Sequence, residues 1–312
     1  MATTVAPVEL TELTELTELT ESAESAESAE SAESAESAES AESVKPTNFE
    51  QVSEFHRIFG HPIESEPQLE IFETNPKLVE FRLSQVEEEF EELMVAYNKK
   101  DFVECVDAIC DLMYFVYGSF LVFGVNFDKY EYEHTLKASK ISKVKNFNSE
   151  KNNKNIFDSD ANIFQTLTTM LKQSLELIKL SEEDRDFSNM IMFYARLETI
   201  CRSIGNLLGV DINACFAEVH RSNMTKVCLD ETTAIKTVEF YKNKKEIRDN
   251  LLKDVTDESE KKKIMEEHKV YEDPSYKYDG SKYWIVYDKA TTKILKSIYF
   301  ENPCLKSVIG LD

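Results

Sequence analysis

Glu88, Glu89 and Glu92, followed by Glu104, Asp107 and Asp111, set six carboxylates in two short runs. Residues three and four apart share a helical face, so each run would stack its acids on one side. Stacked like charges repel. Facing carboxylates are also the ligand type of magnesium, a hard cation usually shared with substrate phosphates. An ion held there would fix a polyphosphate, screen its charge and help a water attack phosphorus, with a spare carboxylate taking the proton. Glu-rich helices are also common solvated surfaces. Against that, Asp107 and Asp111 sit among Cys105, Val106, Ile109, Cys110, Leu112 and Met113, where unpaired charge is expensive.

A second constellation, His220-Arg221-Ser222-Asn223-Met224-Thr225-Lys226, mixes cations, an amide and hydroxyls. It suits phosphate oxygens and a base or ribose edge. The competing reading is a polar helix end, where the dipole favours basic residues. Lys293 and Lys296 would reach a phosphate or mark the solvent face of a strand. Trp284, beside Tyr283 and Tyr287, would stack on a base or fill a core. Six scattered cysteines with no CxxC pair argue against zinc.

The elements that must position these groups are mostly helical. A short amphipathic helix begins at Phe49 and stops near Gly60-His61-Pro62. A longer one follows Asn75-Pro76 and ends near Asn98, and a third runs from Asp101 to about Phe123. So short a turn between long helices makes an antiparallel hairpin that brings the two acidic runs face to face. Glu231 to Tyr241 reads as another helix and Lys242 to Lys269 as a charged helical stretch. The period then changes: Tyr283–Tyr287, a turn at Asp288–Thr292, and Lys293–Phe300 read as a β-hairpin.

A displacement of 85 residues carries Asp101-Phe102 onto Asp186-Phe187 and Gly124-Val125-Asn126 onto Gly209-Val210-Asp211. With a two-residue slip, Lys140–Val144 meets Asn223–Val227. The hairpin reads as duplicated. The six acids become Gln173, Ser174, Leu177, Asn189, Met192 and Arg196, and the leucine and methionine suggest packing without a metal. The expected organisation is a disordered acidic tail and linker (1–48), a first helical repeat with the acids (49–144), a connector (145–160), an acid-free repeat (161–230), and C-terminal helices with a β-hairpin (231–312).

The net charge is -23 over 312 residues. The first 43 residues, mostly TEL and SAE repeats, hold twelve glutamates and no Lys or Arg, and a three-residue period drifts around a helix without forming a stripe. The remainder is still acidic, which excludes non-specific nucleic-acid binding built on Lys and Arg. The longest mostly apolar run, Leu112–Val125, is short for a membrane span. Free thiols and no secretory signal are what a reducing compartment predicts, so a cytoplasmic or nuclear location is expected.

These residues resemble the all-α nucleoside triphosphate pyrophosphohydrolases, the MazG-like superfamily. Glu88-Glu89-Phe90-Glu91-Glu92, Glu104-Cys105-Val106-Asp107 and Asp111-Leu112-Met113-Tyr114 carry the match. Val219–Lys226, Tyr283–Tyr287 and Lys293–Ile298 look like the phosphoribosyl-ATP pyrophosphohydrolase-like branch of viruses and phages. The resemblance implies an all-α bundle of two hairpin repeats and Mg²⁺-dependent cleavage of the α–β phosphoanhydride, with Mn²⁺ as a substitute. It implies metal ligands at Glu89, Glu92, Asp107 and Asp111, with Glu88 and Glu104 as further ligands or base. Asn223 and Lys226, with Arg221 beside them, match substrate-contacting positions. The spacing of Glu104, Asp107 and Asp111 offers two registers for the second acidic pair. Such sites use four helices from two subunits or two repeats, so a homodimer stays open. Phosphoribosyl-ATP as substrate, and a non-catalytic helical interaction protein, are the alternatives.

Overall fold

The computed structural model describes residues 45–131, 154–253, 255–268 and 270–311. The repetitive tail, Lys140–Val144 and the first part of the 145–160 connector lie outside the described residues. Helix α1 (Asn48–Phe59) opens on a reciprocal cap: Thr47 Oγ1 accepts from Glu50 N at 3.1 Å, and Glu50 Oε2 accepts from Thr47 N at 2.8 Å. A short helix, α2 (Ile71–Thr74), precedes α3 (Pro76–Asn98), whose first turn tolerates Pro76 because that turn has no N–H partner to lose. Asp101 caps α4 (Phe102–Val122) by accepting from Glu104 N at 3.2 Å.

The second hairpin is α5 (Ala161–Glu183) and α6 (Phe187–Leu208). The displacement that carries Pro76 to Ala161 also carries Asn98 to Glu183 and Phe102 to Phe187. It extends to backbone detail. Lys100 and Arg185 are both left-handed (φ 56° and 55°), Asp101 and Asp186 cap in the same way, and Gly124 and Gly209 close with φ 72° and 68°. The packing inference drawn from the lost acids fails, however. Met192 is 43% exposed and Leu177 only half-buried, so apolar residues stand there without being core.

Helix α4 is the axis of the bundle, touching α3, α1, α6 and α7 (Ile212–Met224). Taken whole it is long and apolar enough to cross a membrane, more than the Leu112–Val125 run suggested, yet 83% of its most apolar window is buried inside this fold. Val106, Ile109, Met113, Val116 and Phe120 pack there with Tyr194, Leu197 and Cys201. Five of the six cysteines are buried and all six are free. Within the same core Tyr117 donates to Glu198 Oε1 at 2.7 Å, Arg202 Nε bonds that carboxylate, and Arg202 Nη1 reaches Asn213 Oδ1 at 3.0 Å. Glu198 is 1% exposed.

Gly124 ends the α4 turn with a left-handed backbone, and a Cβ there would lie 1.9 Å from Glu66 O. Two penalties coincide, conformational and steric. Gly124→Ala is therefore expected to lower unfolding free energy by about 2–4 kcal/mol. Urea denaturation measures it, and a loss below about 0.5 kcal/mol would show that the Glu66 loop simply moves aside.

The C-terminal portion has α8 (Glu231–Leu252), α9 (Glu258–Glu267), strands β1 (Pro274–Tyr278) and β2 (Trp284–Asp288), and α10 (Leu305–Val308). The strand over Tyr283–Tyr287 and its turn form as expected, but the partner differs. β2 pairs antiparallel with β1, from Pro274 opposite Asp288 to Tyr278 opposite Trp284. Lys293–Phe300 makes a single bridge, Tyr287 to Ile294, then leaves. Ile298 N donates to Thr237 Oγ1 at 3.3 Å, so those backbone groups are satisfied by α8 rather than a ladder. Trp284 packs against Tyr276 and Tyr278, the bland reading of that residue.

Candidate active site

The turn at Lys99–Asp101 folds α3 back on α4 and sets the two acidic runs against each other. Glu89, Asp107 and Asp111 are half-buried, while Glu88, Glu92 and Glu104 are exposed at the rim. Glu89 Oε2 and Asp107 Oδ1 are shut from solvent with no hydrogen-bond partner. An orphaned buried carboxylate oxygen is costly, and two on facing helices mark a place built for something positive.

The electrostatics agree. Burial, then Asp111, Glu92, Glu88 and Asp107, push the Glu89 carboxyl up to about 9. Burial and the Glu104 and Glu92 charges raise Asp107, with Lys296 opposing. Burial and Asp107 raise Asp111, with Lys226 and Lys296 opposing. These groups repel one another, and Glu89, the most strongly raised, holds its proton at neutral pH. Among the described residues, no three acidic, histidine or cysteine side chains stand together as a ready-made metal cage. The donor chemistry, hard carboxylate oxygen with two unused lone-pair sites, still fits a divalent cation of the magnesium type.

Facing the acids is the end of α7. Lys226 Nζ donates to Asn223 Oδ1 at 2.6 Å and lies 5.8 Å from the Phe55 ring centroid. Burial lowers the Lys226 ammonium, Asp111 sustains it, and Lys296 and Lys293 depress it further. Behind, the buried Tyr114 hydroxyl meets His220 Nδ1 at 3.1 Å, and His220 Nε2 meets Glu54 Oε2 at 3.3 Å. The Asn223 amide is held through its oxygen by Lys226 and lies near the Tyr114 hydroxyl. His220 is thus a buried link from Tyr114 on α4 to Glu54 on α1.

Beneath α1, Arg82 is buried on Ser119 Oγ (3.2 Å) and Phe115 O (2.7 Å), and Gly118 leaves room for it and for His56. Burial pushes His56 down to about 3 and His61 to about 4, with the Arg82 charge adding to both, so these rings are neutral.

Of the expected residues, Glu89, Asp107, Asp111, Asn223 and Lys226 come to one place, with Glu88, Glu92 and Glu104 at its edge. Arg221 does not join them: its guanidinium is held by Glu218 (2.9 Å) and Glu301 (2.6 Å). A basic residue beside a binding string pointed the wrong way because adjacent helical positions diverge by about 100°. Lys296, by contrast, though exposed, stands close enough to the acids to act electrostatically on Asp107 and Asp111. In an unbroken strand Lys293 and Lys296 would face opposite ways, but the chain leaves β geometry after Leu295.

A family model described as phosphoribosyl-ATP pyrophosphohydrolase matches residues 52–147, the span of both acidic runs. An uncharacterized protein of Acanthamoeba polyphaga mimivirus is 31% identical over 260 residues, 83% of this chain and 94% of that protein. No solved structure matches.

Proposed function

Because the chain belongs to the phosphoribosyl-ATP pyrophosphohydrolase-like family, we propose that it is a magnesium-dependent nucleoside triphosphate pyrophosphohydrolase, releasing a nucleoside monophosphate and pyrophosphate. The observation that carries this reading is the pair of orphaned buried oxygens, Glu89 Oε2 and Asp107 Oδ1, on facing helices within the matched span. Glu89, Glu92, Asp107 and Asp111 would hold the cation. When bound, such a cation polarises phosphoryl oxygens and offsets developing charge.

The chain's own groups divide the rest. Asn223, held by Lys226, orients a polar edge of the nucleotide, and Lys226 meets phosphate oxygens. Glu88 or Glu104 at the rim takes the proton from the attacking water. The new bond joins that water oxygen to the α-phosphorus. The bond to the α–β bridging oxygen breaks, its electron pair leaving with pyrophosphate. The family description favours phosphoribosyl-ATP as a second substrate reading. Pyrophosphate release from NTPs, dNTPs and phosphoribosyl-ATP, with and without Mg²⁺, tests both readings, and a silent panel would sink them.

Protonation gives a separate expectation. Glu89 is pushed up to about 9 in the folded chain from the ordinary glutamate value of 4.5, so between these the folded chain binds a proton the unfolded chain has released. Metal-free stability must therefore fall as pH rises through that window. A cation that takes the ionised carboxylates should raise the melting temperature more at pH 8.5 than at pH 6, by at least about 2 °C. Equal Mg²⁺ increments at both pH values would disconnect the acids from the ion.

A further inference from the structure

The cationic wall extends beyond the Asn223–Lys226 string. Cys228 and Trp284 exchange backbone bonds at 2.8 and 2.9 Å, which ties the segment after Lys226 to one edge of β2. Near its other end, Leu295 N donates to Val286 O at 2.8 Å and Tyr287 bridges to Ile294. Those bonds set Lys293 and Lys296 on either side of Leu295, which is itself buried against Val286 and Val238. Tyr241 donates to Lys296 O at 2.9 Å, and the Lys296 ammonium rests 4.1 Å from the Phe300 ring centroid. The position is therefore built, not incidental to a floppy end.

Among the described residues, none of Lys226, Lys293 and Lys296 has a carboxylate within 4.0 Å, although Lys226 and Lys296 act electrostatically on Asp111. Lys226 and Lys296 stand close enough to act on Asp111 without touching it, and Lys293 stands beside them, close enough to act on Lys226. Direct ion pairs would have filled that gap. Its charged walls suit a ligand that is a polyanion on one side and carries divalent cation on the other.

We propose that Lys293 and Lys296, together with Lys226, form a cradle for the terminal phosphates of a nucleoside triphosphate. This rests on the reading of the acids given above and narrows it: the site takes triphosphates in preference to diphosphates. When the α–β bond breaks, the departing pyrophosphate keeps the bridging oxygen and its electron pair, and the lysines meet that added charge.

The test uses the full chain and inorganic tripolyphosphate in Mg²⁺ buffer, titrated calorimetrically. Lys293→Ala with Lys296→Ala should weaken binding by about tenfold or more for each lysine, the loss expected of a hydrogen bond between charged partners. Arginine at both positions should restore most of it. In the active enzyme, the alanine pair should narrow the kcat/KM ratio of NTP over NDP by a similar factor. Both side chains are exposed, so the fold is expected to survive. Tripolyphosphate affinity within about twofold of the parent at unchanged melting temperature, or no binding by the parent, overturns the cradle. The titration reads binding without turnover. An enzyme silent on nucleotides whose tripolyphosphate binding still depends on these lysines refutes the activity alone. An active enzyme with lysine-independent binding refutes the cradle alone.

Discussion

Asp107→Asn combined with Asp111→Asn is expected to lower kcat/KM for pyrophosphate release by about 10³-fold or more, with the protein as stable as the parent or more so. Both halves of that result follow from the same charges. Asparagine keeps the shape of each side chain but removes the anionic oxygen a cation would bind. It also removes two carboxylates whose pKa values burial and their neighbours have raised, and such groups oppose folding once ionised. An ordinary structural aspartate behaves oppositely, losing stability along with whatever it supported. Kinetics and thermal melts on the same preparations separate the cases. Activity within about tenfold of the parent would take both aspartates out of the chemistry, and an activity loss paralleled by a collapsed melting temperature would make them merely structural.

A comparable effect, on stability instead of rate, should come from Arg202→Ala, which is expected to lower unfolding free energy by about 3–5 kcal/mol at neutral pH. Arg202 bonds Glu198, and Nη2 donates to the Tyr117 hydroxyl at 3.0 Å, while Glu198 is almost wholly buried at the centre of the bundle. Without the guanidinium, an anion is left in an apolar core with one hydroxyl donor. Burial already raises the Glu198 carboxyl despite its partner, so it will take up a proton in the variant. A folded pKa above the unfolded value means stability falls as pH rises. The deficit should shrink near pH 5 and deepen toward pH 8. Denaturant unfolding across that range decides it, and a deficit independent of pH would show lost packing of the arginine stem rather than a stranded charge. Replacing Glu198 by Leu together with Arg202 by Met should recover much of the loss.

The helical body was legible in the sequence wherever local chemistry determines it. Pro76, Asp101, Asp186 and Gly209 mark boundaries through constraints that act within one turn, and the helices begin and end there. The acids were legible for the same reason, since helical spacing alone fixes a shared face. What stayed hidden depends on distant partners. Strand β2 offers two edges, and its own residues do not say that Pro274–Tyr278 takes one while Lys293–Phe300 makes only a bridge on the other. Lys296 comes near the acids only because α8 draws the chain away after Leu295. Likewise, Tyr114 to His220 to Glu54 spans three helices, and no spacing rule joins residues 166 positions apart. Arg221 misled because rotation along a helix, not adjacency, decides what a side chain meets.

The paired left-handed turns at Lys100 and Arg185 have an evolutionary corollary. In a bundle assembled from two identical subunits, every inherited change strikes both halves at once, so a residue useful on one side must be tolerated on the other. With both hairpins in a single reading frame, that obligation lapses. One hairpin can hold its acids under purifying pressure while its sibling drifts, exchanging carboxylates for the leucine, methionine and arginine at its own positions 177, 192 and 196.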